Sequence, residues 1–155
     1  MRVSEEQRKT WIKALEEGIP FIQRTGIRVV ELERGYAKLR LPFEGNVNHV
    51  GILYAGALFA LSELTGGAIF LSTFDPRRFY PIVRDLRIRF LRPATTDITV
   101  EVRITGEQAG EIASHAEADG KANYEWECEL VDANGVVVAR TTNQYQMRAV
   151  ERDRG

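Results

Sequence analysis

Residues 54–72 read YAGALFALSELTGGAIFLS, apolar on nearly every side of a helix. A helix that is hydrophobic all round is buried all round. The expected architecture therefore has one central helix enclosed by the rest of the chain. The same length and apolarity would suit a membrane span, but Glu63 lies near the middle, where a carboxylate is costly in lipid. No membrane partner is expected.

Upstream, residues 44–53 (EGNVNHVGIL) are rich in glycine and asparagine and predict a loop. Before that loop, Ala37, Leu39 and Leu41 alternate with Lys38 and Arg40, the period of a half-buried strand. Arg34-Gly35 supplies a turn from the β-branched run at 27–32, so the two segments predict a hairpin, which Pro42 closes. Residues 4–17 (SEEQRKTWIKALEE) open with a Ser-x-x-Gln capping box and set Trp11, Ile12 and Leu15 on one helical face. Gly18 and Pro20 end that helix, and a short helical piece at 21–25 leads into Gly26.

Downstream of Asp75-Pro76, residues 80–91 and 98–105 predict long strands. In the first, Leu86, Ile88 and Phe90 alternate with Asp85, Arg87 and Arg89. Residues 107–119 space Ile112, Ala113 and Ala116 as a short helix would. In 122–131, Tyr124, Trp126, Cys128 and Leu130 face one way while Glu125, Glu127 and Glu129 face the other. The turn at 132–135 (DANG) then leads to a last strand at 136–147, where Tyr145 and Met147 are expected to pack. His115 is expected on the surface.

These elements predict the α+β class: a curved antiparallel sheet of about five to six strands, one face of it filled by the central helix. A length of 155 residues with 44% apolar and 28% charged side chains fits a single domain over 1–155, with 1–25 as an N-terminal helical segment. A net charge of -1 gives no basic field to collect nucleic acid. Cys128 is the one cysteine, which excludes an intrachain disulfide, and two histidines (His49 and His115) leave few donors for a metal. No metal and no resident cofactor are expected. The first residues lack the apolar core of a signal peptide, so a cytoplasmic location is expected.

Chemistry concentrates in residues 44–67. The start of the central helix, at Tyr54-Ala55-Gly56, presents free backbone N–H groups and a positive dipole end, and its small residues allow close approach. That suits a carbonyl oxygen turning into an oxyanion. Glu63 is the one side chain between His49 and Asp75 that is charged at neutral pH. Burial raises its pKa and makes its retention costly unless it is paired or used. Ala55 and Glu63 are eight residues apart, roughly 12 Å along one helix. One bound carbonyl reaches both only if a second chain sets its Glu63 beside the first chain's helix start, which implies at least a homodimer with sites at the interface.

Asn48, Gly51, Tyr54-Ala55-Gly56 and Glu63 together resemble the signature of hotdog thioesterases of the phenylacetate-pathway type. Their pattern is Asn, two residues, Gly, two residues, His-Gly-Gly, then a deep acidic residue at the same spacing. The stretch 83–94 (VRDLRIRFLRPA) resembles their strand ending in an aromatic, two residues and proline, and the likeness covers about 26–148. It implies a hotdog core, dimers often paired into tetramers, and hydrolysis of an acyl-CoA or acyl-carrier thioester. Carried across, Glu63 would attack the thioester or activate water, the Ala55 N–H with Gly56 would polarise the carbonyl, and Asn48 would position water or thioester. Tyr54, His49, Gly51, Val83, Arg84 and Asp85 would line the substrate site, and Arg87, Arg89 and Arg92 would meet CoA phosphates.

The chain departs from that pattern at Tyr54, which replaces histidine, at Ala55, which replaces glycine, and at Glu63, which replaces the commoner aspartate. Val83 and Gly67 lack hydroxyls found in relatives. Two other functions fit the same segment. His49 and Glu63, fourteen residues apart, share the spacing of hydroxyacyl-thioester dehydratases, without their proline pattern. A non-catalytic acyl-CoA binding module would also account for the missing hydroxyls.

Overall fold

In the computed structural model, which describes residues 3–151, the chain opens with α1 (Glu5–Glu17) and α2 (Pro20–Thr25). Ser4 caps α1, its hydroxyl accepting from the Gln7 N–H at 3.1 Å, as the capping box predicts. The hairpin follows as β1 (Arg28–Glu33) and β2 (Tyr36–Leu41), then α3 (Ala55–Thr73) and β3 (Phe79–Phe90). β4 (Ile98–Arg103), α4 (Gly106–Asp119), β5 (Lys121–Val131) and β6 (Val137–Ala149) complete the order. Helix α4 is a full 14 residues and carries a complete Thr105–Gln108 capping box, a signal hidden behind its weak apolar spacing.

The strands form one six-stranded sheet, antiparallel at each pairing, in the order β1-β2-β4-β5-β6-β3. Its inner face closes on α3, with Leu39, Leu41, Leu61, Ile69, Ile98, Leu130 and Met147 fully buried between them. This is the α+β hotdog arrangement. Strands β4 and β5 pair only at Thr99–Val131 and Val100–Leu130, and α4 packs along the rest of β5 where the ladder has parted.

One expectation needs correction. α3 is not enclosed on all sides by its own chain. It has the length and apolarity of a membrane span, and two-thirds of that window is buried, yet one stripe stays uncovered. Ala55 and Phe59 are exposed, and Glu63 and Gly67 are half-buried, each one turn after the last. Helix α1 packs over the C-terminal end of this stripe, leaving the N-terminal half open. The sheet is open too, for β3 is a terminal strand with no neighbour beyond it.

Candidate functional site

The loop before α3 is built to hold the helix start in place. The side-chain oxygen of Asn48 accepts from the backbone N–H groups of Val50 and Ile52, at 3.0 and 3.2 Å, and the Asn48 N–H donates to the Ile52 carbonyl at 2.7 Å. Gly51, at φ 88°, takes the left-handed turn this loop requires. Asn46, which the sequence did not single out, anchors the loop's base: its amide donates to the carbonyls of Thr25 and Pro42, and its own carbonyl accepts from the Tyr54 N–H. Leu53 donates to the Ala94 carbonyl, which ties the loop to the segment before β4.

Tyr54 is the N-cap of α3 and offers no side-chain cap. Ala57 and Leu58 donate to its carbonyl, so the N–H groups of Ala55 and Gly56 are the ones without an acceptor among the described residues. The Tyr54 ring folds back over Gly56, where an added Cβ would stand 2.7 Å from the ring's Cε1. A side chain at 56 would therefore displace the tyrosine ring from this position. The ring itself is 59% exposed.

Glu63 is half-buried, and burial alone pushes its carboxyl above the usual carboxylate range. Its side chain has neither a hydrogen bond nor an ion pair among the described residues, although its backbone is held firmly. The Tyr145 hydroxyl donates to the Glu63 carbonyl at 3.1 Å and accepts from the Asn143 amide at 3.0 Å. Asn143 also donates to the Ser62 carbonyl, the Ser62 hydroxyl meets that of Thr141 at 2.5 Å, and the Trp126 indole N–H donates to Thr65. Burial pushes the Tyr145 hydroxyl up to about 12, so it remains a donor across working pH.

This buried polar seam joins α3 to β5 and β6, and the sequence reading missed it. Tyr145 was expected only to pack, and Trp126 only to share a face with Cys128 and Leu130. The available signal was parity: on the face of β6 that carries Ala139 and Met147, Thr141 and Asn143 are polar where an apolar side chain would ordinarily sit. Cys128 is buried as expected, and burial raises its thiol.

β3 is where register matters. Val83 pairs with Tyr145 and Asp85 with Gln144, so Arg84 is the extra residue of a β-bulge. The bulge turns Val83 toward the inner face beside Tyr145 while Asp85, Arg87 and Arg89 face outward. Arg84 and Asp85 open onto a groove of about 600 Å³ shared with Tyr124, Gln144 and Tyr145. Arg87 and Arg89 pair with Thr142 and Arg140, in rows that run on to Glu127 and Glu129, on the outer face away from Glu63 of the same chain. Arg92 lies past the strand and donates to the Val137 carbonyl. His49 is exposed in the loop, before the helix start, and His115 is exposed on α4.

The structure therefore brings Tyr54, Ala55 and Gly56 together at one end of an open stripe, with Glu63 two turns along it and Val83 beside the tyrosine that holds the Glu63 backbone. It gives Asn48 and Gly51 a role in shaping the loop. It does not gather Arg87, Arg89 and Arg92 with the acid in one chain.

A family model described as "Domain of unknown function (DUF4442)" matches residues 8–147. The chain belongs to the DUF4442 family. Among solved structures it is similar to PA5026 of Pseudomonas aeruginosa, a protein of unknown function whose description adds "Probable Thioesterase". The identity is 48% over 92% of this chain and 96% of that one, with a TM-score of 0.89. The thioesterase PA1618 of the same organism, solved as a mutant, shares the fold at a TM-score of 0.70, with 16% identity over 90% and 94% of the two chains. PaaI of Escherichia coli, from the phenylacetic acid degradation operon, matches at 0.64, with 16% identity over 92% and 98%. This DUF4442 chain is a member of the hotdog-fold thioesterase superfamily.

Proposed function

We propose that this DUF4442 protein hydrolyses acyl-CoA thioesters as a homodimer, with Glu63 of one chain acting opposite the α3 N-terminus of the other. The observation that carries this reading is Glu63 itself. It is a half-buried carboxylate, raised by desolvation and left without a partner, on the open stripe of a helix otherwise packed in the core. A leucine would fill that position without the cost of burying a charge. Support comes from the free Ala55 and Gly56 N–H groups at the far end of the same stripe. The exposed apolar residues Phe59, Val83 and Phe90 and the unpaired edge of β3 also favour a second copy on this face.

In the reaction, the thioester carbonyl accepts hydrogen bonds from Ala55 and Gly56, in a loop-anchored helix start that needs no reorganisation. Glu63 as base takes a proton from water, and the hydroxide adds to the carbonyl carbon. The oxyanion collapses, the C–S bond breaks, and the proton returns from Glu63 to the departing thiolate. Direct attack by Glu63 would instead pass through a mixed anhydride that water then opens. Asn48 acts by holding the loop, Tyr54 covers the oxyanion site, and Arg84 with Asp85 borders the substrate entrance. Outward arginines 87, 89 and 92 would reach CoA phosphates only where the tail lies across the outer face of the sheet.

The test is thiol release by purified protein from a panel of acyl-CoAs, repeated with Glu63→Gln. Release that disappears in the variant while the oligomer and fold persist supports the reading. Near wild-type turnover by Glu63→Gln would remove Glu63 from the mechanism. Binding without release would make the protein an acyl-CoA binding module, and loss of water from a hydroxyacyl-CoA without thiol release would make it a dehydratase.

A further inference from the structure

The buried polar seam converges on a single residue of α3. The Ser62 carbonyl belongs to the peptide plane before the Glu63 Cα, and the Glu63 carbonyl to the plane after it. The Asn143 amide donates to the first at 3.0 Å, and the Tyr145 hydroxyl donates to the second at 3.1 Å. Asn143 also donates to the Tyr145 hydroxyl, at 3.0 Å, which leaves the single proton of the tyrosine for Glu63. The Thr65 hydroxyl reaches the Ser62 carbonyl as well, at 2.6 Å, and accepts in turn from the Trp126 indole. Both planes that set the direction of the Glu63 Cα–Cβ bond are thus held from the sheet side.

Stability alone does not call for an amide at 143. The residue is fully buried on the strand face that carries Ala139 and Met147, where a matched apolar replacement of a polar pair is often nearly neutral. The amide is tolerated because it is satisfied, its oxygen accepting from the Ser62 hydroxyl at 3.3 Å. What a satisfied network adds is one fixed geometry. The turn at 62–63 depends on it, because α1 covers only the C-terminal end of the stripe and the solvent side of Glu63 is bare within the chain.

We infer that Asn143 is a positioning residue for Glu63: through the Ser62 carbonyl and through Tyr145 it fixes both peptide planes around the acid, and so aims the carboxylate along the open stripe. This rests on the assignment of Glu63 as the hydrolytic carboxylate. Asn143 itself touches neither substrate nor the reacting atoms. Thr141, in the same seam, separates aim from packing. Its hydroxyl meets that of Ser62 at 2.5 Å and bonds to neither carbonyl.

The experiment compares Asn143→Leu, which fills the site without donors, with Thr141→Val, which keeps the shape and removes only the hydroxyl. Each is assayed for thiol release from the acyl-CoA panel. The Glu63 carboxyl is titrated in parallel by carboxyl-carbon NMR, its signal assigned through Glu63→Gln. Asn143→Leu lowers kcat about tenfold with KM within about twofold of wild type, the pattern of a misplaced catalytic group. Its Glu63 carboxyl titrates closer to the ordinary carboxylate range, because a freed side chain turns toward water. Thr141→Val keeps the wild-type kcat and the wild-type titration. Should Asn143→Leu fail to fold, Asn143→Ser takes its place, since a serine hydroxyl is too short to reach the Ser62 carbonyl and Tyr145 together.

Wild-type kcat with an unmoved titration in Asn143→Leu overturns the assignment and leaves the amide a packing role. An equal fall in kcat in both variants overturns it too. If wild type releases no thiol, or Glu63→Gln still turns over, the hydrolytic reading fails and the titration decides alone. A titration shifted in Asn143→Leu but not in Thr141→Val then upholds the positioning, and an unmoved one removes it.

Discussion

The hydroxyl of Tyr145, on the sixth strand, donates a 3.1 Å hydrogen bond to the backbone carbonyl of Glu63, on the central helix. The same tyrosine ring lies against Gly66, so its ring and hydroxyl together set the helix turn that carries the acid. Tyr145→Phe keeps the ring and removes two buried hydrogen bonds, which costs about 1–2 kcal/mol of stability. If Tyr145 holds the acid in register, kcat falls about tenfold with KM little changed. Steady-state kinetics beside thermal unfolding separates the cases, because a loss of stability with unchanged kcat would restrict Tyr145 to a structural role.

The raised pKa of Glu63 fixes two signs of pH dependence. Activity needs the carboxylate, so kcat/KM rises with pH through a limb lying above the ordinary carboxylate range. For stability, a carboxyl whose folded pKa exceeds its unfolded value favours the folded state at low pH and loses that contribution as pH rises through the folded pKa. Glu63→Gln is therefore more stable than wild type at neutral pH, and the gap closes as pH drops below the usual carboxylate range. Denaturant titrations at several pH values check this; a glutamine variant less stable at neutral pH would point to a favourable partner for the carboxylate.

Asn48→Ala removes the acceptor for the Val50 and Ile52 N–H groups. The expected loss is about 1–2 kcal/mol, with protection from hydrogen exchange lost first in the 46–53 loop. Hydrogen exchange resolves this by segment. Loop protection equal to wild type, with activity gone, would return Asn48 to direct contact with substrate.

Phe59 is 40% exposed at the centre of the uncovered stripe. Phe59→Asp places a charge on the face proposed to meet a second copy, and sedimentation velocity should show the monomer, with far-UV circular dichroism retained and thiol release lost. A dimer that survives this change must be built on another surface.

Much of this was legible in the sequence because it depends on near neighbours. The apolar run at 54–72 dictated a core helix, the Ser4 and Gln7 pair marked the start of α1, and alternation in 122–131 assigned each side chain of β5 to its face. Glu63 stood out for the same local reason, a charge where the pattern demanded none. Long-range register was not legible. The extra residue at Arg84 reverses the face of Val83, the parity of β6 brings Asn143 and Tyr145 under the Glu63 turn, and α1 covers only part of α3, leaving its stripe open. Hydrophobic periodicity records what each segment wants to bury. Which neighbour does the burying, and where a side chain is left uncovered, depends on pairings between residues far apart in the chain, and those only the tertiary structure decided.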